Sequence, residues 1–395
     1  MQLLHQMEKI FNNTQVAFSL KSDTELDRAY FLFKMIANEP LVRIGTAVTN
    51  FALKAHLPVD GLIRATVFDH FCGGVNEVDC LSVVDKMHTK GVSSVLDYSV
   101  EGKEEEKQFD AALEMTLKTV EFAKERQAIP FAVFKPTGLG RLDLYTKVGA
   151  NQTLSNEEIV EWNKVKERFE LICKTAHTKD VALLIDAEES WMQDAADDLV
   201  EEMMRKYNKE KVIVFNTLQM YRWDRMDYLK ELHKRAQAEG FYIGMKLVRG
   251  AYMEKENKRA EENGYPTPIC ASKQATDDNY NAAVDYMMKH IDKMAIFAGT
   301  HNEESSYKLM EMLTEKGISK NDPRIWFGQL YGMSDNISYN LAANNFNVAK
   351  YLPFGPVRDV MPYLIRRAEE NTSVAGQTTR ELNLLKTERE RRKNK

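Results

Sequence analysis

Cysteine is scarce in this chain. The four present, Cys72, Cys80, Cys173 and Cys270, include no CxxC pair, and no Cys/His group has zinc-ligand spacing. This excludes a disulfide scaffold and suits a reducing compartment, with each thiol a small buried or half-buried side chain. Long apolar runs are missing as well, and none nears the roughly 20 residues of a membrane-spanning helix. There is no basic excess: 54 Lys+Arg stand against 59 Asp+Glu, a net charge of -5. That balance excludes bulk nucleic-acid binding, which needs a basic field. The opening MQLLHQMEKIFNN lacks the basic-then-apolar order of a signal peptide and the arginines of a transit peptide. The expected location is therefore the bacterial cytoplasm, with peripheral contact at the inner membrane left open. For a processed eukaryotic chain the alternative is the matrix side of the mitochondrion. No phosphate-binding GxxxxGK[ST] is present. Gly138-Leu-Gly140 lacks the third glycine of a dinucleotide fingerprint and runs into Arg141-Leu-Asp143, so it reads as a loop turn.

What is present fits a large α/β protein. The 395 residues are 44% hydrophobic and 29% charged, ordinary for a globular chain and ample for one large barrel with a smaller appendage. Residues 1–90 show helical spacing without β-runs, as in LDRAYFLFKMIAN, and His70-Phe-Cys-Gly-Gly74 marks a turn between helices. From residue 92 the texture changes. Short β-rich runs at 92–99, 131–135, 181–188, 211–219, 242–250, 295–302, 324–332 and 348–355 alternate with charged amphipathic segments. Strand–helix alternation implies a parallel sheet with crossover helices, and eight repeats imply a closed (β/α)8 TIM-like barrel over 91–375. The runs are nearly continuous in apolar residues, as strands buried on both faces are. Each ends in polar or glycine residues, where such a barrel places its chemistry. The last stretch, RELNLLKTERERRKNK within 376–395, reads as a charged, solvated tail, with attraction to an anionic membrane as its functional alternative.

Several side chains at the strand ends could carry chemistry. Arg366 and Arg367 follow the last run, with Pro362 preceding the helical pattern that carries them. Two planar guanidinium forks suit bidentate recognition of a carboxylate. Glu370 shares their helical face, and a surface Arg/Glu helix is the plain alternative. Lys135 ends the second run and Lys246 lies within the fifth. Either could be a Schiff-base nucleophile, a point charge for an anion, or a snorkelling lysine. Asp186, Glu188 and Glu189 end the third run and His301 with Asn302 the sixth. Carboxylates with histidine can bind a divalent metal, but one histidine among the strand ends leaves no metal assigned. By residue type alone this is a barrel with a basic, carboxylate-seeking mouth and no nucleophile triad.

Nine motifs, one or more per strand and in barrel order, resemble the signature blocks of the proline dehydrogenase family. They are Leu96-Asp-Tyr-Ser99, Phe134-Lys135, Ile185-Asp-Ala-Glu-Glu189, Asn216-Thr-Leu-Gln219, Lys246-Leu-Val-Arg-Gly-Ala-Tyr252, Thr300-His-Asn302, Phe327-Gly-Gln-Leu-Tyr-Gly-Met333, Tyr351-Leu-Pro-Phe-Gly355 and Tyr363-Leu-Ile-Arg-Arg-Ala-Glu-Glu-Asn371. The style is similar to single-function, eukaryotic-like members, with no aldehyde dehydrogenase domain or DNA-binding segment in these residues. The resemblance implies non-covalent FAD across the barrel mouth. It implies oxidation of L-proline to Δ1-pyrroline-5-carboxylate by hydride transfer from C5 to flavin N5, the first step of proline catabolism. Electrons would then pass to a membrane quinone. Arg366 and Arg367 would grip the proline carboxylate, with Glu370 and Lys135 at the substrate's polar end and Asp186 supporting the network. Tyr252, Leu330 and Tyr351 would wall the ring, Tyr351 favouring proline over hydroxyproline. Gln219, Lys246, Arg249, Thr300, His301 and Asn302 would contact the flavin, Lys246 standing where many bacterial members carry arginine. Thr276 and Asp277 would lie on the adenine side. The cofactor supplies reactivity and the protein supplies orientation. The rival readings are a hydroxyproline dehydrogenase, a Schiff-base lyase on the same barrel, and a non-catalytic amino-acid binding protein.

Overall fold

Each of the eight β-rich runs forms a strand in a computed structural model of the protein, which describes residues 9–54, 60–99, 104–373 and 377–394. The strands are β1 Val92–Tyr98, β2 Phe131–Phe134, β3 Ala182–Ile185, β4 Val214–Gln219, β5 Ile243–Val248, β6 Met294–Gly299, β7 Ile325–Leu330 and β8 Val348–Phe354. They close into one barrel in sequence order. The ladders are parallel: Phe134 pairs with Ile185, Gln219 with Val248 and Lys246 with Phe297. Parallel neighbours require crossovers, and amphipathic helices supply them, for example Glu106–Glu125, Asn156–Lys179, Ser190–Tyr207 and Arg225–Glu239. The helix Asn156–Lys179 opens on a capping box between Ser155 and Glu158 and stops at left-handed Asp180.

Two compact units make up the chain. The larger holds Val95–Thr300 and Glu304–Phe327. Its core is an aromatic layer in which the Phe131 ring meets Phe215, Phe297 and Trp326 edge-on, with centroids 5.8, 5.2 and 5.1 Å away. Phe131, Phe215 and Phe297 come from β2, β4 and β6, the alternate-strand layering that fills a barrel rather than leaving a pore. Gly244 is required by this packing, since a Cβ there would lie 2.8 Å from the Val214 carbonyl oxygen.

The other unit holds Met1–Ser94, His301–Glu303 and Gly328–Lys395. One of its cores gathers Ile36, Phe68, Phe71, Met333, Val360 and Tyr363. A second joins Phe18, Leu26, Ala29 and Phe33 to Leu384 and Leu385. The second core corrects the reading of the C-terminus as a solvated tail. Residues Gln377–Lys393 form a helix whose two leucines are buried against the helix Asp23–Ile36. The arginines that suggested solvation are largely paired: Arg389 with Asp27 at 2.5 Å, Arg392 with Asp23 at 2.8 Å, and Arg391 with Glu388 at 2.7 Å. Their partners are mostly distant in sequence, so a local charge count could not find them. A second correction concerns Pro362. The helix carrying the arginine pair begins at Val357, after Pro356, and Pro362 lies inside it. Among the described residues no helix is long and apolar enough to cross a membrane.

Candidate functional site

A ladder of alternating charge crosses the strand ends of the larger unit. Asp97 near the end of β1 accepts from Lys135, just beyond β2, at 3.0 and 3.3 Å. Lys135 also lies 3.5 Å from the Asp186 carboxylate, just beyond β3, and Asp186 in turn pairs with Lys246 of β5. Ser99 donates to Asp97 at 2.6 Å. Successive members of this ladder lie 38 to 60 residues apart along the chain. The common twist and stagger of parallel strands bring them to one rim. Burial works against ionisation of Asp186, but Lys246 and Lys135 outweigh it and hold its carboxyl below the ordinary carboxylate range. Two positive and two negative charges make the ladder neutral, so little isolated charge is desolvated. Both lysines are engaged by carboxylates, whereas an imine-forming lysine must present a neutral amine. That geometry disfavours the Schiff-base alternative.

Glu188 and Glu189 follow β3, three and four residues past its end at Ile185, and each ties down a different segment. Glu188 accepts from the Thr137 amide at 2.9 Å and from the Thr137 hydroxyl at 2.6 Å. Burial pushes its carboxyl up to about 7, against the pull of the Thr137 hydrogen bonds. The Glu188 carbonyl accepts from the Gln219 side-chain amide at 2.9 Å. This fixes which end of Gln219 is the donor, and its side-chain oxygen is buried without a hydrogen-bond partner. A buried orphan acceptor costs stability unless a ligand donates to it. Glu189 accepts from Lys255 at 2.9 Å, and Glu256 takes the amide and hydroxyl of Ser190, both at 2.6 Å. These contacts anchor the helix Met253–Asn263, whose N-cap is the buried Tyr252.

A second charged group follows β5 and β6. Arg249 donates to Asp277 at 2.6 Å, to the Thr300 hydroxyl at 2.7 Å and to Ser305 at 3.0 Å, and its guanidinium lies 4.5 Å over the Tyr280 ring. Burial opposes ionisation of Asp277, yet Lys273 and Arg249 hold its carboxyl below the usual range. Thr276 is buried one residue earlier on the same helix, Lys273–Lys289.

The remaining expected residues belong to the other unit. His301 Nδ1 lies 2.9 Å from the hydroxyl of Ser334, a buried residue in left-handed conformation at φ 50°. Asn302 is half-buried beside it in sequence. Tyr351 of β8 is buried, and Leu330 at the end of β7 packs against the core that holds Tyr363. Arg366 and Arg367 share the helix Val357–Ser373, Arg367 lying 5.4 Å over the Tyr363 ring. The side chain of Glu370 lies outside the described residues.

This unit also contains charged groups that the sequence did not single out. Lys350 of β8, fully buried, donates to the Met333 carbonyl at 2.7 Å and pairs with Asp335 at 2.9 Å. Asp335 pairs in turn with Lys21 at 3.1 Å. Glu381, from the C-terminal helix, accepts from the Ser334 amide at 3.3 Å, and burial pushes its carboxyl up to about 7. A lysine inside an apolar strand run was the available signal for Lys350. Nothing local marks Lys21 or Glu381. Asp97, within Leu96-Asp-Tyr-Ser99, and Thr137 likewise carry no sequence signal of the partners they meet. Among the described residues no group of three metal-ligating side chains assembles.

Comparison with known proteins identifies the family. Residues 80–380 match the family model described as proline dehydrogenase. The chain is similar to the carbapenem antibiotics biosynthesis protein CarD of Pectobacterium carotovorum, at 37% identity over 91% of this chain and 94% of that protein. It is similar to mitochondrial proline dehydrogenase 1 of Dictyostelium discoideum, at 30% identity over 97% of this chain and 75% of the relative. Mitochondrial proline dehydrogenase 2 of Arabidopsis thaliana matches at 32% over 84% of this chain and 79% of its own length. Among solved structures, proline utilization A from Bdellovibrio bacteriovorus superposes with a TM-score of 0.71 at 20% identity. That match covers 93% of this chain but 37% of the larger protein, and it speaks to the fold.

Proposed function

We propose, from the premise that this chain belongs to the proline dehydrogenase family, that it oxidises L-proline to Δ1-pyrroline-5-carboxylate using non-covalently held FAD. The observation that carries this reading is the neutral ladder Asp97–Lys135–Asp186–Lys246 with an orphan acceptor on Gln219, one strand away. A flavin fits such residues, because its ring system offers a donor for Gln219 and acceptors for lysine and arginine. Gln219, Lys246, Arg249, Thr300, His301 and Asn302 would hold it, with Thr276 and Asp277 toward the adenine. When bound, the flavin supplies the hydride acceptor.

The chain's own residues then do the positioning. Arg366 and Arg367 fix the proline carboxylate and so orient C5, with Glu370 and Lys135 serving the substrate's polar end. Tyr252, Leu330 and Tyr351 close around the ring and exclude water. The Lys135–Asp186 pair keeps the polar end of the pocket neutral without a free ion. Loss of the amine proton requires no dedicated base in this reading. Tyr351 selects against a hydroxyl on the ring, which separates proline from 4-hydroxyproline.

Electrons leave to a membrane quinone, with the protein peripheral at a bacterial inner membrane or an organellar one. The arginines of the helix Gln377–Lys393 add little attraction to that surface, because their charge is largely spent on Asp23, Asp27 and Glu388.

The test is an anaerobic absorbance spectrum of the purified protein before and after L-proline. Flavin bands that bleach with L-proline, and far more slowly with 4-hydroxyproline, are the expected result. A protein that stays colourless after incubation with FAD, or a yellow one that proline leaves unchanged, would sink the reading.

A further inference from the structure

We infer that Glu188 is a positioning residue that ties the cofactor-side amide of Gln219 and the substrate-side turn after Lys135 to a single point. The inference deepens the function proposed above and rests on it. Every polar group of Glu188 is used. Its amide donates to Gln193 at 2.9 Å, its carbonyl accepts from Gln219 at 2.9 Å, and its carboxylate takes both donors of Thr137.

Thr137 sits in the turn Pro136–Gly138, whose N-cap is Lys135, and Gly138 donates back to the Lys135 carbonyl at 3.0 Å. Tyr145 clamps the same turn from its other side by donating to the Pro136 carbonyl at 2.9 Å. The turn therefore has few degrees of freedom once Glu188 holds it, and Lys135 inherits that order. On the other side, Gln219 can offer its orphan oxygen in one direction only while its amide is held by the Glu188 carbonyl. One residue of β3's end thus sets the neighbouring ends of β2 and β4. A bridge of this kind survives protonation, since a neutral carboxyl can accept from the Thr137 amide and donate to the Thr137 hydroxyl. The burial-raised carboxyl of Glu188 is consistent with such a bridge.

The test compares T137V, T137S, E188A and E188Q with the parent holoenzyme. Readouts are steady-state kinetics with L-proline, the visible flavin spectrum, and thermal midpoint. T137V removes the substrate-side hydroxyl bond alone. Its KM for proline should rise about 10-fold with kcat nearly unchanged and the flavin bands unmoved. T137S should restore the parent KM. E188A frees Thr137 but keeps the backbone carbonyl that holds Gln219. With residue 188 no longer anchored through its carboxylate that carbonyl shifts, so KM should rise, kcat fall and the flavin bands move, whereas E188Q keeps an acceptor and a donor and should stay near the parent in all three. If T137V and E188A lower only the thermal midpoint, or if E188A leaves the flavin bands in place, the residue is a structural brace and the inference fails. Failure of the parent itself to turn over proline is a separate outcome. It would overturn the function, while the flavin-band comparison of E188A with E188Q would still decide the positioning role.

Discussion

Asp186 shows how much one side chain decides here. It is the carboxylate shared by Lys135 and Lys246, and the side chain of Lys246 is only 7% exposed. Asp186→Asn should cost about 3 kcal/mol of stability in urea unfolding, because a buried ammonium loses its counter-charge. Asp186→Leu combined with Lys246→Met should recover most of that loss, since no unpaired charge then remains. A single and a double variant of equal stability would contradict the pairing. Glu381 makes the opposite case. Its carboxyl is pushed up to about 7 from an ordinary 4.5, so the folded protein binds its proton more tightly than the unfolded chain does. The folded state is therefore penalised progressively as pH rises from about 4.5 to about 7, and the penalty is constant above that. Glu381→Gln should raise the thermal midpoint at pH 8 and change it little at pH 4.5. Equal shifts at both pH values would refute the assignment.

At the scale of elements, the helix Gln377–Lys393 is the clearest case of charge concealing a core. Leu385 is fully buried among Phe18, Leu26 and Phe33. Leu385→Ala should cost about 2–5 kcal/mol by lost transfer energy and the cavity left behind. Arg391→Ala, which breaks an i,i+3 pair with the side chain of Arg391 30% exposed, should cost less than about 1 kcal/mol. Chemical denaturation of the two variants measures both, and comparable losses would mean that the charges hold the helix. The strands behave otherwise. Their positions were legible in the sequence because a run such as Val181-Ala-Leu-Leu-Ile-Asp has no alternative to burial on both faces. The residue just past four strands, Lys135, Asp186, Arg249 and Thr300, was legible as a site candidate because a polar side chain at the end of an apolar strand points to the rim. What such a run cannot reveal is its neighbour, which is why Asp97 was not connected to Lys135 nor Glu188 to Thr137.

The whole molecule adds a balance of ionisable groups to the closed barrel. Lys350 and Lys21 overcome burial and hold the Asp335 carboxyl well below the usual range, as Lys246 and Lys135 do for Asp186. Such groups contribute stability above the ordinary carboxylate range, and it is lost as pH falls and the folded protein resists protonation. Burial lowers the imidazole of His70 to about 3, so its share is lost from about pH 6.5 downward, where the unfolded chain takes up a proton and the folded one does not. Urea midpoints at pH 7, 5 and 3.5 should fall steeply toward acid. A flat profile would mean that these carboxylates are not paired in solution. The relatives fit this description at the level of the family. The chain covers most of the length of CarD and of the Arabidopsis enzyme, and about a third of proline utilization A.

The amino-acid sequence by itself determined the fold class, the strand positions and the order of the site motifs. Those follow from local periodicity and from the burial that apolar runs demand, both written along the chain. It determined the family as well, through motifs carried in barrel order. Tertiary structure alone decided which charges meet. The ladder from Asp97 to Lys246, the clasp of Glu188 on Thr137, the pairing of Lys21 with Asp335, and the burial of Leu384 and Leu385 each join residues tens to hundreds of positions apart. Unlike the i,i+3 pair of Arg391 with Glu388, an ion pair between distant residues has no period and no local signature. Its partner is fixed by strand stagger and helix packing, which exist only once the chain has folded.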